Sequence, residues 1–156
     1  HALVRYAAEN RIPLIPRQIL KLYADWQVTA AWSLGLDMNA VGGSLARGNE
    51  NGQHQPDGTY YLGSGRNPGY TVFNLSTSYQ PTAAWKLFMT VYNLFDRRYT
   101  TAAQLGPTGF TASGAYQSRP FPANGAGDYP LQHSTFYAPG APRSVTVGLK
   151  YSFGAL

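Results

Sequence analysis

Two stretches of the chain concentrate side chains able to hold a ligand. Arg47, His54, Tyr60, Tyr61 and Arg66 fall in one segment rich in Gly and Asn; Tyr116, Arg119, Phe121, His133, Phe136 and Tyr137 fall in another rich in Gly, Pro and Ser. Guanidinium groups pair with carboxylates and catecholates, and aromatic faces stack on flat ligands, so this mixture suits a large anionic or aromatic chelate. The same rings could instead order their segments by packing on one another, and the sequence leaves both readings open.

Other chemistries find no support. His1, His54 and His133 lack metal-ligand spacing. Leu62-Gly63-Ser64-Gly65 is missing the first glycine of a nucleophile elbow, and Gly63 to Gly69 lacks the spacing of a dinucleotide fold, so no catalytic residue and no cofactor are assigned. Asn74-Leu75-Ser76 matches a glycosylation acceptor only as a string. Cysteine is absent, which removes disulfides, thiolate metal sites and a cysteine nucleophile. The formal net charge is +5, but the 12 Lys and Arg are scattered without a dense run, so nucleic acid is not an expected partner.

The elements that must position these residues are long alternating strands. From Ser144 to Phe153 the residues Val145, Val147, Leu149, Tyr151 and Phe153 face one way, and Ser144, Thr146, Gly148, Lys150 and Ser152 the other. Two near-repeats, Trp26-Gln-Val-Thr-Ala-Ala-Trp32 and Tyr79-Gln-Pro-Thr-Ala-Ala-Trp85, each read as a tight hairpin turn between such strands. Around the first, Leu20, Leu22, Ala24, Trp26, Trp32, Leu34, Leu36, Met38 and Ala40 form an apolar face. Around the second, Thr71, Phe73, Leu75, Thr77, Tyr79, Trp85, Leu87, Met89 and Val91 do the same. The strand charges Lys21, Asp25, Asp37, Lys86 and Lys150 all fall on the opposite, polar face.

The surroundings of the apolar face follow from the rest of the pattern. Apolar residues never run together for the roughly 20 positions a membrane helix needs, whereas barrel strands hide theirs at every second position. With strands alternating in direction, Trp26, Trp32, Tyr79, Trp85, Tyr151 and Phe153 lie at one rim, as in an interfacial aromatic belt. Long segments, Gly42 to Gly69 and about Arg97 to Pro142, join the other ends. Short turns on one side and long loops on the other is the asymmetry of an outer-membrane barrel. With a further strand at Ala2 to Ala8 the count reaches about six, too few to close a barrel, and an open sheet in lipid leaves edge groups unpaired at several kcal/mol each. The sequence, which opens on His1 rather than Met, is therefore expected to be processed or a portion of a larger barrel.

Four strings then take on a family likeness: Arg11-Ile-Pro-Leu-Ile-Pro-Arg-Gln18, the stretch from Asn67 to Tyr79, Val91-Tyr-Asn-Leu-Phe-Asp-Arg-Arg-Tyr-Thr100, and the stretch from Pro139 to Phe153. In this order the chain resembles the C-terminal end of TonB-dependent outer-membrane receptors. The resemblance implies an antiparallel barrel of roughly 22 strands around a plug. It also implies outer-membrane localisation, contact with lipid, uptake of a ferric siderophore or a cobalamin-like nutrient, and drive from the TonB complex through an N-terminal region outside this sequence. Lys21, Asp25, Asp37, Lys86 and Lys150 would then face the lumen and plug. Gly154, Ala155 and Leu156 depart from the family habit of stopping at the terminal Phe. In Asn93-Leu94-Phe95-Asp96 with Tyr99, the expected role is architectural: Asp96 takes backbone N–H groups at a strand-to-loop corner and Phe95 anchors the rim. The rival readings are a passive porin, an outer-membrane enzyme or adhesin barrel, and a soluble β-sandwich whose apolar faces form a core.

Overall fold

A computed structural model describes residues 11–154. The strand expected at Ala2 to Ala8, together with His1, Ala155 and Leu156, lies outside them. Among the described residues nine strands occur in the order β1 Ile19–Thr29, β2 Trp32–Val41, β3 Ser44–Leu45, β4 Arg66–Asn67, β5 Tyr70–Tyr79, β6 Trp85–Tyr92, β7 Thr100–Pro107, β8 His133–Pro139 and β9 Ser144–Tyr151. They form one five-stranded sheet, β1-β2-β5-β6-β9, and two ribbons, β3-β4 and β7-β8. Every strand pairing is antiparallel. The contacts divide the chain into two compact units, one holding the sheet and the other the ribbons.

The sheet's register carries the alternation of each strand coherently across all five. One row runs Ala24, Leu36, Leu75, Val91, Val145, and its neighbour runs Trp26, Leu34, Thr77, Met89, Val147. The opposite face carries the row Asp25, Gly35, Ser76, Thr90, Thr146, with Asp37 beside Asn74 and Lys86 opposite Lys150. A slip of one residue at any ladder would mix the two sets, so the pattern fixes the register.

The apolar face is not a covered core. Leu22, Leu36, Leu87, Val145 and Leu149 are exposed, and Val147 is 71% exposed. The buried hydrophobic residues are Leu45, Ala46, Leu62, Ala103 and Phe121 in the ribbon unit, and Val72 in the sheet. Chains folding in water bury aliphatic strands and expose Gly- and Asn-rich segments; here the aliphatic rows are exposed and most of the buried residues lie in the ribbon unit. The exposed apolar face counts against a soluble sandwich.

The two near-repeats close differently. In the first, β1 and β2 meet across Ala30 and Ala31 with a bulge between Gln27 and Thr29, and the Thr29 hydroxyl accepts the Ala31 and Trp32 N–H groups at 3.3 and 3.1 Å. The second is not a tight turn: β5 ends at Tyr79 and β6 begins only at Trp85. The difference is Pro81 in place of Val28, since proline has no N–H to continue the ladder.

The long segments also differ from plain loops. Gly42 to Gly69 contains the β3-β4 ribbon, and Arg97 to Pro142 contains β7 and β8, paired from Thr100↔Pro139 to Pro107↔His133. The ribbon unit's interior mixes small apolar and polar side chains, with Asn49, Asn67, Gln132 and Thr135 buried beside Ala46 and Ala103. Asn49 Nδ2 donates to Gly65 O at 2.9 Å, Gly65 N donates to Thr135 Oγ1 at 2.9 Å, and Thr100 Oγ1 donates to Asn67 Oδ1 at 2.6 Å. Hydrogen bonds thus hold the ribbons together where aliphatic packing is scarce.

Candidate functional site

The ribbon unit gathers some of the candidate ligand residues and separates others. Tyr61 and His133 are partners in an isolated parallel bridge, so their rings project side by side, 6.2 Å apart and 19° from parallel. His54 meets Tyr61 edge-on at 5.7 Å. Backbone bonds fix this trio: Leu62 N donates to His133 O and His133 N to Tyr60 O, both at 2.7 Å. His54 N donates to Asn49 Oδ1 at 3.0 Å, and its ring Nε2 lies 3.0 Å from Gly63 O. Asp57 supports the same loop, because its Oδ1 accepts N–H groups from Thr59, Tyr60 and Tyr61, each at 2.8 Å. These donors, Tyr61 first and then Thr59, hold the Asp57 carboxyl below its ordinary value.

The remaining candidates are dispersed. The Arg119 guanidinium lies over the buried Phe121 ring at 5.6 Å, and Tyr60 donates its hydroxyl to Pro122 O at 2.9 Å. Tyr137 Oη pairs with Ser64 Oγ at 3.2 Å, Phe136 lies against Gly106, and Tyr116 meets Phe110 edge-on at 5.9 Å. Arg47 and Arg66 are exposed, with Arg47 tied through its backbone to Ala103 and Leu105 and Arg66 in β4. Phe121 serves as core, whereas Tyr61 (49% exposed), Tyr116, Phe136 and Tyr137 keep exposed ring surface. Among the described residues no group of three or more His, Cys, Asp or Glu is placed to hold a metal.

In the sheet unit, the polar face holds a groove of about 590 Å³ lined by Asp25, Gln27, Ser33, Ser78, Lys86 and Lys150, among others. Ser33 and Ser78 share a hydrogen bond of 2.9 Å there. Lys86 and Lys150 sit directly opposite one another with no acidic partner in their row, a like-charge pairing that is unfavourable on an isolated sheet.

The Asn-Leu-Phe-Asp corner is the most densely bonded point of this unit. Asp96 Oδ1 accepts Arg143 N at 3.1 Å, and Phe95 meets Phe73 edge-on at 5.4 Å. Asn93 does more than its neighbours. It is 4% exposed at φ 51°, its Nδ2 donates to Arg97 O at 2.9 Å and Ala141 O at 3.0 Å, and its Oδ1 accepts Arg97 N at 2.9 Å. Its own N–H donates to Asn74 Oδ1 at 2.9 Å, while Asn74 Nδ2 donates to Asp37 Oδ2 at 2.7 Å. Tyr99 stacks on Tyr70 at 4.5 Å and covers Gly140. Sequence reasoning placed Asn93 in the architectural motif but gave the corner's backbone bonding to Asp96; an Asn entering a turn directly from a strand was the available signal for Asn93's share.

Comparison with known proteins bears on what this geometry belongs to. A family model described as TonB dependent receptor-like, β-barrel, matches residues 5–94. The chain belongs to this family. No curated protein matches in a sequence search. Among solved structures, the ferric-catecholate import receptor Fiu of E. coli K12 in its closed form is similar, with 21% identity and a TM-score of 0.56 over 90% of this chain and 15% of that one. The ferric yersiniabactin uptake receptor FyuA of Yersinia pestis shows 20% identity and a TM-score of 0.56 over 93% and 17%. The siderophore receptor PiuA of Acinetobacter baumannii shows 14% identity and a TM-score of 0.58 over 91% and 14%. At these identities the likeness is one of fold: an all-β, antiparallel portion of a TonB-dependent receptor barrel. The chain spans about one sixth of the length of these structures or less. The family consists of receptors and transporters of the outer membrane, not of enzymes.

Proposed function

We propose that this chain forms the closing strands and two ligand-facing loops of an outer-membrane receptor that imports a ferric siderophore at the expense of TonB-transmitted energy. The observation that supports the reading best is the sheet's register: five strands carry apolar rows on one exposed face and every strand charge on the other. One face then meets lipid, and the face with Lys21, Asp25, Asp37, Lys86 and Lys150 meets the lumen and plug. The aromatic row supports a membrane interface at the short-turn rim: Trp32 pairs with Tyr79, and the Trp85, Tyr151 and Phe153 rings succeed one another at 4.6 Å. Tyr61, Tyr137 and the arginines of the ribbon unit supply stacking faces and charge for a catecholate-type cargo.

The test is uptake of radiolabelled iron by cells expressing the full-length receptor, with ferric chelates of catecholate, hydroxamate and phenolate type offered in parallel. The expected result is uptake of one class, abolished by a protonophore and by deletion of the gene. Uptake that persists with the protonophore would replace the reading with a passive pore. Uptake of none, with a neutral nutrient imported instead, would replace the cargo.

A further inference from the structure

At the end of the sheet away from the aromatic row, a groove opens on the apolar side. It holds about 440 Å³, and Gln18, Leu20, Ala40, Gly42, Thr71 and Arg97 line it. Leu20, Ala40 and Thr71 form one row across β1, β2 and β5, on the same face as Leu36 and Leu75. Gly42 N donates to Gln18 O at 2.8 Å and so ties the two strands together above that row. Arg97 reaches the groove from the Asn93 corner. Its N donates to Asn93 Oδ1 and its O accepts Asn93 Nδ2, both at 2.9 Å, while its exposed guanidinium has no hydrogen-bond partner among the described residues. No carboxylate is among the lining residues.

A cation at the edge of an aliphatic row needs an anion, because an unpaired charge beside apolar surface is costly. The acidic strand residues Asp25 and Asp37 lie on the opposite face and do not supply it. An occupant of the groove must therefore be amphiphilic, with an anionic head for Arg97 and an apolar tail for Leu20 and Ala40. Height decides its source. β2 has 10 residues, within the about 9–11 of a tilted strand that crosses a bilayer. With the Trp32–Tyr79 pair at one interface, Ala40 and Arg97 stand at the other, at the depth of lipid headgroups. We infer that this groove binds an anionic, phosphate-bearing membrane lipid, its phosphate on Arg97, Thr71 and Gln18 and one acyl chain along Leu20 and Ala40. A guanidinium pairs two N–H groups with two phosphate oxygens, and a hydroxyl and an amide each add a further donor. The inference rests on the reading that the apolar rows face lipid.

The experiment is photo-crosslinking of the full-length receptor in phosphatidylcholine vesicles, whose phosphate is already paired with its own ammonium. The probe is phosphatidic acid with a diazirine in its acyl chain, the comparison is the matching diacylglycerol without phosphate, and labelled positions are mapped by mass spectrometry. Phosphatidic acid is expected to label residues 18–22 and 40–42 about tenfold more than diacylglycerol does. Arg97→Gln, which keeps the backbone bonds to Asn93, should lower its labelling to the diacylglycerol level. Arg98→Gln, at an exposed arginine outside the groove, should leave labelling unchanged. Ala40→Leu fills the groove without altering charge and should lower labelling several-fold, so it carries the test if Arg97→Gln does not fold. Labelling unchanged in both Arg97→Gln and Ala40→Leu, or an equal fall in Arg98→Gln, would overturn the assignment. Displacement of the probe by inorganic phosphate would also overturn it, giving the site to a soluble anion. Equal labelling by the two lipids would overturn the headgroup site and leave the lipid-facing reading standing, whereas labelling by neither would overturn both.

Discussion

Replacing Asn93 separates what its side chain bonds from what its backbone conformation demands. Asn93→Ala removes three side-chain hydrogen bonds and leaves Arg97 O, Ala141 O and Arg97 N without their partner. At about 1 kcal/mol for each such bond the loss is roughly 3 kcal/mol. Alanine at φ 51° adds about 1 kcal/mol, because a Cβ disfavours the left-handed region that Asn tolerates. The expected cost of Asn93→Ala is therefore about 4 kcal/mol, and that of Asn93→Gly, which sheds the same bonds but accepts the backbone angle, about 3 kcal/mol. Asn93→Asp is nearly isosteric and retains the acceptor for Arg97 N, yet it sets a carboxylate against two carbonyl oxygens, so it should cost at least as much as Gly. The assay is guanidinium unfolding of the full-length receptor in lipid vesicles, followed by tryptophan fluorescence. A neutral Asn93→Asp would refute the reasoning, since the corner would then depend on side-chain shape alone, and so would an Asn93→Ala costing under about 1 kcal/mol, since the side-chain bonds would then contribute little.

Three other outcomes follow from the same geometry. Leu36→Lys, in the middle of an apolar row, should cost about 2–4 kcal/mol in vesicles and Asn39→Lys on the other face far less; equal costs would sink the topology. Gly140→Ala should expel the Tyr99 ring, which occupies the space of the added Cβ, and lose the Tyr70 stack worth about 0.5–1.5 kcal/mol; unfolding measurements with Tyr99→Ala in the same background should show the penalty shrinking. The depressed Asp57 carboxyl contributes order to its loop above the usual carboxylate range, and that contribution is lost as pH falls through the depressed value. Asp57→Asn keeps the Oδ1 acceptor without the titration, so protease sensitivity of residues 57–62, measured pH by pH, should rise in acid for the wild type relative to that variant.

The sheet was legible in the sequence because its physics is repetitive. The expected strands from Leu20 to Trp26 and Trp32 to Val41, those from Thr71 to Tyr79 and Trp85 to Tyr92, and the one opening at Ser144 lie within the strands observed, to within about two residues at the ends. Period-2 alternation between two environments leaves little room for another register. The β7-β8 ribbon was not legible, because Thr-Thr-Ala-Ala-Gln-Leu-Gly-Pro carries no aliphatic alternation and its stability comes from a backbone ladder over the small Ala103 and the buried Thr135. The trio of His54, Tyr61 and His133 depends on a parallel bridge between residues far apart in the chain, for which no local pattern exists. Asn49 and Asn67 read as ordinary loop residues, and only the fold reveals them as buried anchors.

The bonds around Asn93 also bear on how this protein can change over time. Asn93 ties Arg97 to Ala141, Asp96 holds Arg143, and Gly140 N donates to Tyr99 O at 2.8 Å, so the two ends of the excursion between β6 and β9 are buckled together at its neck. The β6-β9 ladder, from Tyr92↔Ser144 to Trp85↔Tyr151, begins directly below this buckle. Insertions, deletions or wholesale exchange of residues 100–139 can then be sampled without shifting the register of this ladder. A lineage can then exchange the residues between β7 and β8 and keep its sheet, so long as Asn93 stays.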